Sequence, residues 1–94
     1  MKYDMRFDDI VEMEEEAAAG DEKAMEALAL TYLNGEDGEP VNPEKAYKWY
    51  SELADRGNAI AMYNTALFMA KGFGTRRNFA KASEMMSTVA DIGD

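Results

Sequence analysis

Between Gly20 and Gly93 the chain repeats itself, and this repetition limits the folds open to it. Shifted by 36 residues, Asn42, Lys45, Ala46, Ser51, Ala54, Asp55 and Gly57 return as Asn78, Lys81, Ala82, Ser87, Ala90, Asp91 and Gly93. Shifted by 37, Gly20, Ala24, Met25, Ala29, Leu30 and Gly35 return as Gly57, Ala61, Met62, Ala66, Leu67 and Gly72. Seven identities in 16 pairs and six in 16 make thirteen in 32, where ordinary composition gives about two by chance. The one-residue difference between the shifts is an insertion in the loop near Glu36–Val41. A period of this length in helical sequence builds stacked helix pairs, each burying the apolar face that its neighbour cannot bury alone.

The helical character is written locally. Asn42-Pro43-Glu44 is a helix start: Asn offers a side-chain oxygen to an orphan N–H, and Pro at the first helical position gives up an N–H that had no partner. Ala46, Trp49, Tyr50, Leu53 and Ala54 follow at helical spacing. Gly57 stops that helix, because glycine tolerates the left-handed conformation of a C-cap, and Asn58 caps the next. The same reasoning predicts five helices, over roughly residues 6–19, 22–34, 43–56, 59–71 and 78–92.

Two sets of residues carry a resemblance. The first copy reads Ala24-x3-Leu28-Ala29-x2-Tyr32-x2-Gly35, then Lys45-Ala46-x2-Trp49-Tyr50, then Ala54-x2-Gly57. The second reads Ala61-x3-Thr65-Ala66-x2-Met69-x2-Gly72-x-Gly74, then Lys81-Ala82-x2-Met85-Met86, then Ala90-x2-Gly93. Both resemble the Sel-one-like repeat, a tetratricopeptide-like helix–turn–helix. The resemblance implies an all-α fold, a right-handed α-α superhelix (solenoid). It implies one domain over residues 1–94, with a half-repeat cap over 1–19, repeat one over 20–56 and repeat two over 57–92. It also implies a scaffold for protein–protein contacts, without catalysis. The second copy departs where Trp-Tyr becomes Met-Met and where Leu28 and Tyr32 become Thr65 and Met69.

Composition removes several chemistries. With no Cys and no His, the chain has neither disulfides nor thiolate ligands, and lacks the commonest general base. No phosphate loop, nucleophile–base pair or metal-ligand spacing is present, so no cofactor or metal is expected. The acids around Glu36 and Asp37 lack the alternating oxygen ligands of a calcium loop and read as turn residues. No apolar run reaches the ~20 residues of a membrane span, and Met1–Arg6 holds no apolar signal segment. The expected location is the cytoplasm.

The net charge of −9 is unevenly spread. Residues 1–41 carry 13 acids and 3 bases, whereas residues 42–94 carry 6 acids and 7 bases. Such an acidic half repels phosphate backbones, so nucleic acid is not an expected partner. The basic spot of Arg76, Arg77 and Lys81 is too short for a nucleic-acid arm and reads as solvated loop charge.

In the first predicted helix, Phe7, Ile10, Val11, Met13, Ala17 and Ala18 supply the apolar positions. Shifted by 37, Glu12 falls at the place of Trp49 and Glu16 at that of Leu53. This helix therefore reads as a cap with a polar outer face. Its acids Glu12, Glu14, Glu15 and Glu16 crowd the C-terminal half, where the helix dipole disfavours them. Asp8 and Glu16 each stand four residues from Glu12 as like charges. A basic partner at this acidic face is the functional reading, and solvated charge is the plain one.

Trp49 and Tyr50 read as core rather than as a ligand-stacking pair. In tetratricopeptide-like solenoids the first helix of each pair lines the concave face. Carried onto this chain, Lys23, Glu26, Leu30, Leu33 and Asn34 line it from repeat one, and Ile60, Tyr63, Leu67, Ala70 and Lys71 from repeat two. A helix or extended peptide docks on an apolar strip with a polar rim; the plain reading is packing against neighbouring helices. The last helix has no stacked neighbour where a third repeat would begin. Either the chain belongs to a longer array or a second copy covers that end, with Met85 and Met86 buried in a homodimer. The expected function is a non-catalytic interaction module for a protein or peptide. The alternatives are a self-associating structural element and a carboxylate-based hydrolase.

Overall fold

The structure, a computed structural model, describes residues 7–36 and 38–93, with side chains from 10 to 36 and from 38 to 92. The Phe7 and Asp8 side chains and the turn residue Asp37 lie outside the described residues. Among those described there are five helices and no strand: α1 (Phe7–Ala18), α2 (Glu22–Asn34), α3 (Pro43–Asp55), α4 (Ala59–Lys71) and α5 (Phe79–Gly93). Each packs on its neighbours in sequence, α1 on α2, α2 on α3, α3 on α4 and α4 on α5. The resulting stack measures 47 × 24 × 19 Å, an all-α solenoid.

Short polar residues start α2, α3, α4 and α5. Asp21 Oδ1 accepts from the N–H groups of Lys23 and Ala24. Asn42, Asn58 and Asn78 accept from the N–H groups of Lys45, Ala61 and Lys81 at 3.1, 2.9 and 3.0 Å. Each such bond satisfies a donor that the helix leaves orphaned. The last cap moves the expected start of α5 from residue 78 to 79, since Asn78 stands outside the helix it caps. At the other end, α2 and α4 close on Gly35 and Gly72 in the left-handed conformation.

The core runs along the stack as two clusters. The larger holds Met25, Leu28, Tyr32, Trp49, Tyr50, Leu53 and Phe68, with Ile10 and Ala17 from α1. The smaller holds Ala66, Met69 and Ala82. Ala29, Ala46 and Ala66 are fully buried, at helix contacts that admit only small side chains. In α1, Val11 and Ala18 correct the expected apolar face: both are exposed, and among the described side chains the helix reaches the core through Ile10, Met13 and Ala17. Glu12, Glu15 and Glu16 point to solvent.

The two copies superpose in their hydrogen bonds. Asn42 N–H donates to the Tyr32 carbonyl at 2.8 Å, and Asn78 N–H donates to the Met69 carbonyl at 2.8 Å. This identity of turn geometry ties Tyr32 to Met69 and Lys45 to Lys81, although the turns differ in length by one residue.

Candidate interaction surfaces

The ten residues predicted to meet a partner lie along α2 and α4, and none of them is buried. In α2, Lys23, Glu26, Leu30 and Asn34 are exposed, while Leu33 packs partly against the larger core cluster. In α4, Ile60, Tyr63 and Lys71 are exposed, Leu67 is half-buried, and Ala70 rests on the smaller cluster. The apolar exposure is concentrated in α4: Ile60 is 70% and Tyr63 47% exposed, against 42% for Leu30. Position for position, repeat one offers Lys23 and Glu26 where repeat two offers Ile60 and Tyr63. The surface is polar toward α1 and apolar toward α5.

The acidic set on α1 divides. Glu12, Glu15 and Glu16 are exposed, but Glu14 is half-buried and accepts from the Tyr32 hydroxyl at 2.9 Å. Tyr32 is 1% exposed, and its phenol is held well above the usual tyrosine range. Burial is the largest cause, followed by the Glu14 hydrogen bond and the charges of Glu14 and Glu39. One acid of the four thus belongs to the packing of the cap. At the opposite side of repeat one, Arg56 reaches Glu22 at 3.6 Å and Glu52 at 3.7 Å, with both partners in water.

Met85 and Met86, expected to be free for a second copy, lie half-buried against the smaller core cluster. On α5 the large exposed apolar side chains are Phe79 and Ile92, at 62% and 51%. Sequence reasoning missed both, because neither falls on a repeated position. It also missed Phe68. The Phe68 ring stacks on Tyr47, with centroids 6.4 Å apart, and meets Tyr50 and Phe73 edge-on at 5.6 and 5.1 Å. Its counterpart in repeat one is Thr31, so the ring at the centre of this group is a feature of repeat two alone.

Between α3 and α5 lies a cavity of about 300 Å³ lined by Tyr47, Met69, Thr75, Arg76, Asn78 and Lys81. A second cavity, about 280 Å³, shares Tyr47, Met69 and Lys81 with it and extends to Ser51, Asp55 and Met85.

With this geometry in place, comparison with known proteins decides the lineage. A profile of the Sel1 repeat matches residues 22–58 and again 59–93. The chain belongs to the Sel1 repeat family. Among solved structures it is similar to a Sel1 repeat protein from Oxalobacter formigenes, with a TM-score of 0.71 and 21% sequence identity. That likeness covers 90% of this chain and 41% of the solved one, so the chain spans well under half the length of its structural relative. At such identity the relation is one of fold. Sel1 repeats generally mediate contacts between proteins, and Sel1 repeat proteins are typically non-catalytic scaffolds. Among the described residues, no helix of this Sel1 chain is long and apolar enough to cross a membrane.

Proposed function

We propose that the chain is a non-catalytic interaction module that binds a peptide or partner protein across the outward face of α2 and α4. One observation carries this reading. Ile60 and Tyr63 project 70% and 47% of their surface into water from a helix whose opposite side is closed against the core. Large apolar side chains grouped with a polar rim, here Lys23, Glu26 and Lys71, are the usual footprint of a docking site. The half-buried Leu67 and the exposed Leu30 extend the strip from α4 to α2.

The test is a selection of peptides from a random display library by the purified chain, repeated with an Ile60→Ser/Tyr63→Ser variant. The expected result is a family of peptides that binds the parent and is lost by the variant, with the thermal midpoint little changed. Peptides that bind both proteins equally would overturn the assignment of this face.

The exposed Glu12, Glu15 and Glu16 favour a partner that is basic where it meets α1. Replacing all three with Gln is expected to weaken binding of any selected peptide that carries Lys or Arg. A second reading, self-association through α5, draws on the exposed Phe79 and Ile92 rather than on Met85 and Met86. Light scattering at rising concentration checks it, and a monomer throughout would remove it. The cysteine-free composition suits a reducing compartment such as the cytoplasm.

A further inference from the structure

The two copies treat one position in opposite ways. In repeat one the Lys45 ammonium sits over the Tyr32 ring, 5.0 Å from its centroid. The Tyr32 hydroxyl donates to Glu14, and Glu39 is close enough for its charge to act on the phenol. The cation there lies on an aromatic face, and the two carboxylates act on the hydroxyl of that ring. In repeat two, Lys81 takes the place of Lys45, but the ring has become Met69 and the place of Glu14 is held by Ser51. The turn that carries Glu36 and Glu39 in repeat one reads Thr75-Arg76-Arg77 in repeat two.

The result is an open cavity whose polar lining is donor-rich. Thr75, Asn78, Arg76 and Lys81 surround it, and none of its lining residues is acidic. Arg77 rests over the Phe79 ring at 5.3 Å. Among the described residues, Arg56 makes the ion pairs, and neither Arg76 nor Lys81 is within ion-pair distance of a carboxylate. Asp55 lines the adjoining cavity but does not come within ion-pair distance of Lys81. The cavity also opens at the start of α5, where the first turn leaves N–H groups without helical partners. In a chain of net charge −9, two cations around a cavity with no ion pair among the described residues ask for a counter-charge.

We propose that this cavity receives a glutamate or aspartate side chain from an acidic protein segment, with Lys81 and Arg76 as its counter-ions. The carboxylate would lie beside Met69, between Lys81 and Arg76. Charge complementarity selects the occupant, and the apolar walls of Tyr47 and Met69 suit the methylenes that carry the carboxylate. In the stack α2 stands between the acidic α1 and the α3, α4 and α5 residues that line this cavity.

The probe is an N-acetylated, C-amidated hexaglutamate peptide, titrated into the isotope-labelled chain in physiological salt and followed by amide NMR shifts. Saturable shifts at Thr75, Asn78 and Lys81 are expected. An Arg76→Gln/Lys81→Gln variant should weaken binding about tenfold or more, the loss typical of removing charged partners from a contact. Met69→Tyr, which refills the cavity and returns a ring to the lysine, should weaken binding while leaving both cations in place. If that variant fails to fold, the double Gln variant decides alone. Absence of saturable shifts at millimolar peptide, or equal binding by the double variant, would overturn the proposal. Inorganic phosphate moving the same amides at lower concentration than the peptide would also overturn it, reassigning the cavity to phosphate.

Discussion

Tyr32 and Glu14 are 18 residues apart in sequence and 2.9 Å apart at their oxygens. The bond fastens α1 to the first full repeat at a point where Tyr32 is otherwise closed to water. A hydroxyl donating to a carboxylate is stronger than a neutral pair, and removing one partner strands the other. A double-mutant cycle of Tyr32→Phe with Glu14→Ala is expected to give a coupling of about 1 kcal/mol, reduced from the buried value because Glu14 is half in water. Chemical denaturation of the four proteins measures it. Glu14→Gln, which keeps an acceptor oxygen, should cost less than Glu14→Ala.

Alkaline pH should unfold the protein through the same residue. The Tyr32 and Tyr50 phenols are both held above the ordinary value of 10.0, chiefly by burial. The folded state therefore keeps its protons where the unfolded state releases them. Stability from this source is fully present below pH 10, the unfolded value, and falls as pH rises toward the folded values. Denaturant midpoints measured between pH 9 and 11 are expected to be flat and then to drop. Tyr32→Phe should make the drop shallower.

Two glycines with left-handed backbone should respond unequally to alanine. Gly74 has φ +74°, and a Cβ there would fall on the Pro43 carbonyl, where the α4–α5 turn presses against the start of α3. Gly57 has φ +92° and open space around it. Gly57→Ala is expected to cost about 1 kcal/mol for conformation alone. Gly74→Ala must also displace backbone, and should cost above ~3 kcal/mol. Paired melting curves separate the two.

The buried alanines set the helix spacing. Ala29 and Ala66 have no exposed surface and occupy the same place in the two copies. Enlarging either to Leu should destabilise by about 1–3 kcal/mol through overpacking. Urea midpoints report the loss, and far-ultraviolet circular dichroism should stay unchanged, since the helices persist while their packing loosens.

Most of the helical layout is legible in the sequence. The caps Asp21, Asn42 and Asn58, the stops at Gly35 and Gly72, and the buried set Ala46, Trp49, Tyr50, Leu53 and Ala54 all lie where local rules put them. The end of α3 and the start of α5 moved by one residue, because a cap belongs to the turn and not to the helix. The candidate site was less legible. The outward positions of α2 and α4 could be read from the repeat register, but the weight of apolar exposure on Ile60 and Tyr63 depends on which neighbours cover them.

The sequence by itself determined the repeat, the five helices and the inward face of most of them. Capping, glycine stops and a 3.6-residue period act within a few residues of chain. The tertiary structure alone decided that Glu14 belongs to Tyr32, that Lys45 stacks on a ring while Lys81 does not, and that Phe68 gathers three aromatic neighbours. All of those pairings except Phe68 with Phe73 join side chains from different helices. They depend on how far each side chain reaches across a packed interface, a distance that no periodicity along one helix encodes.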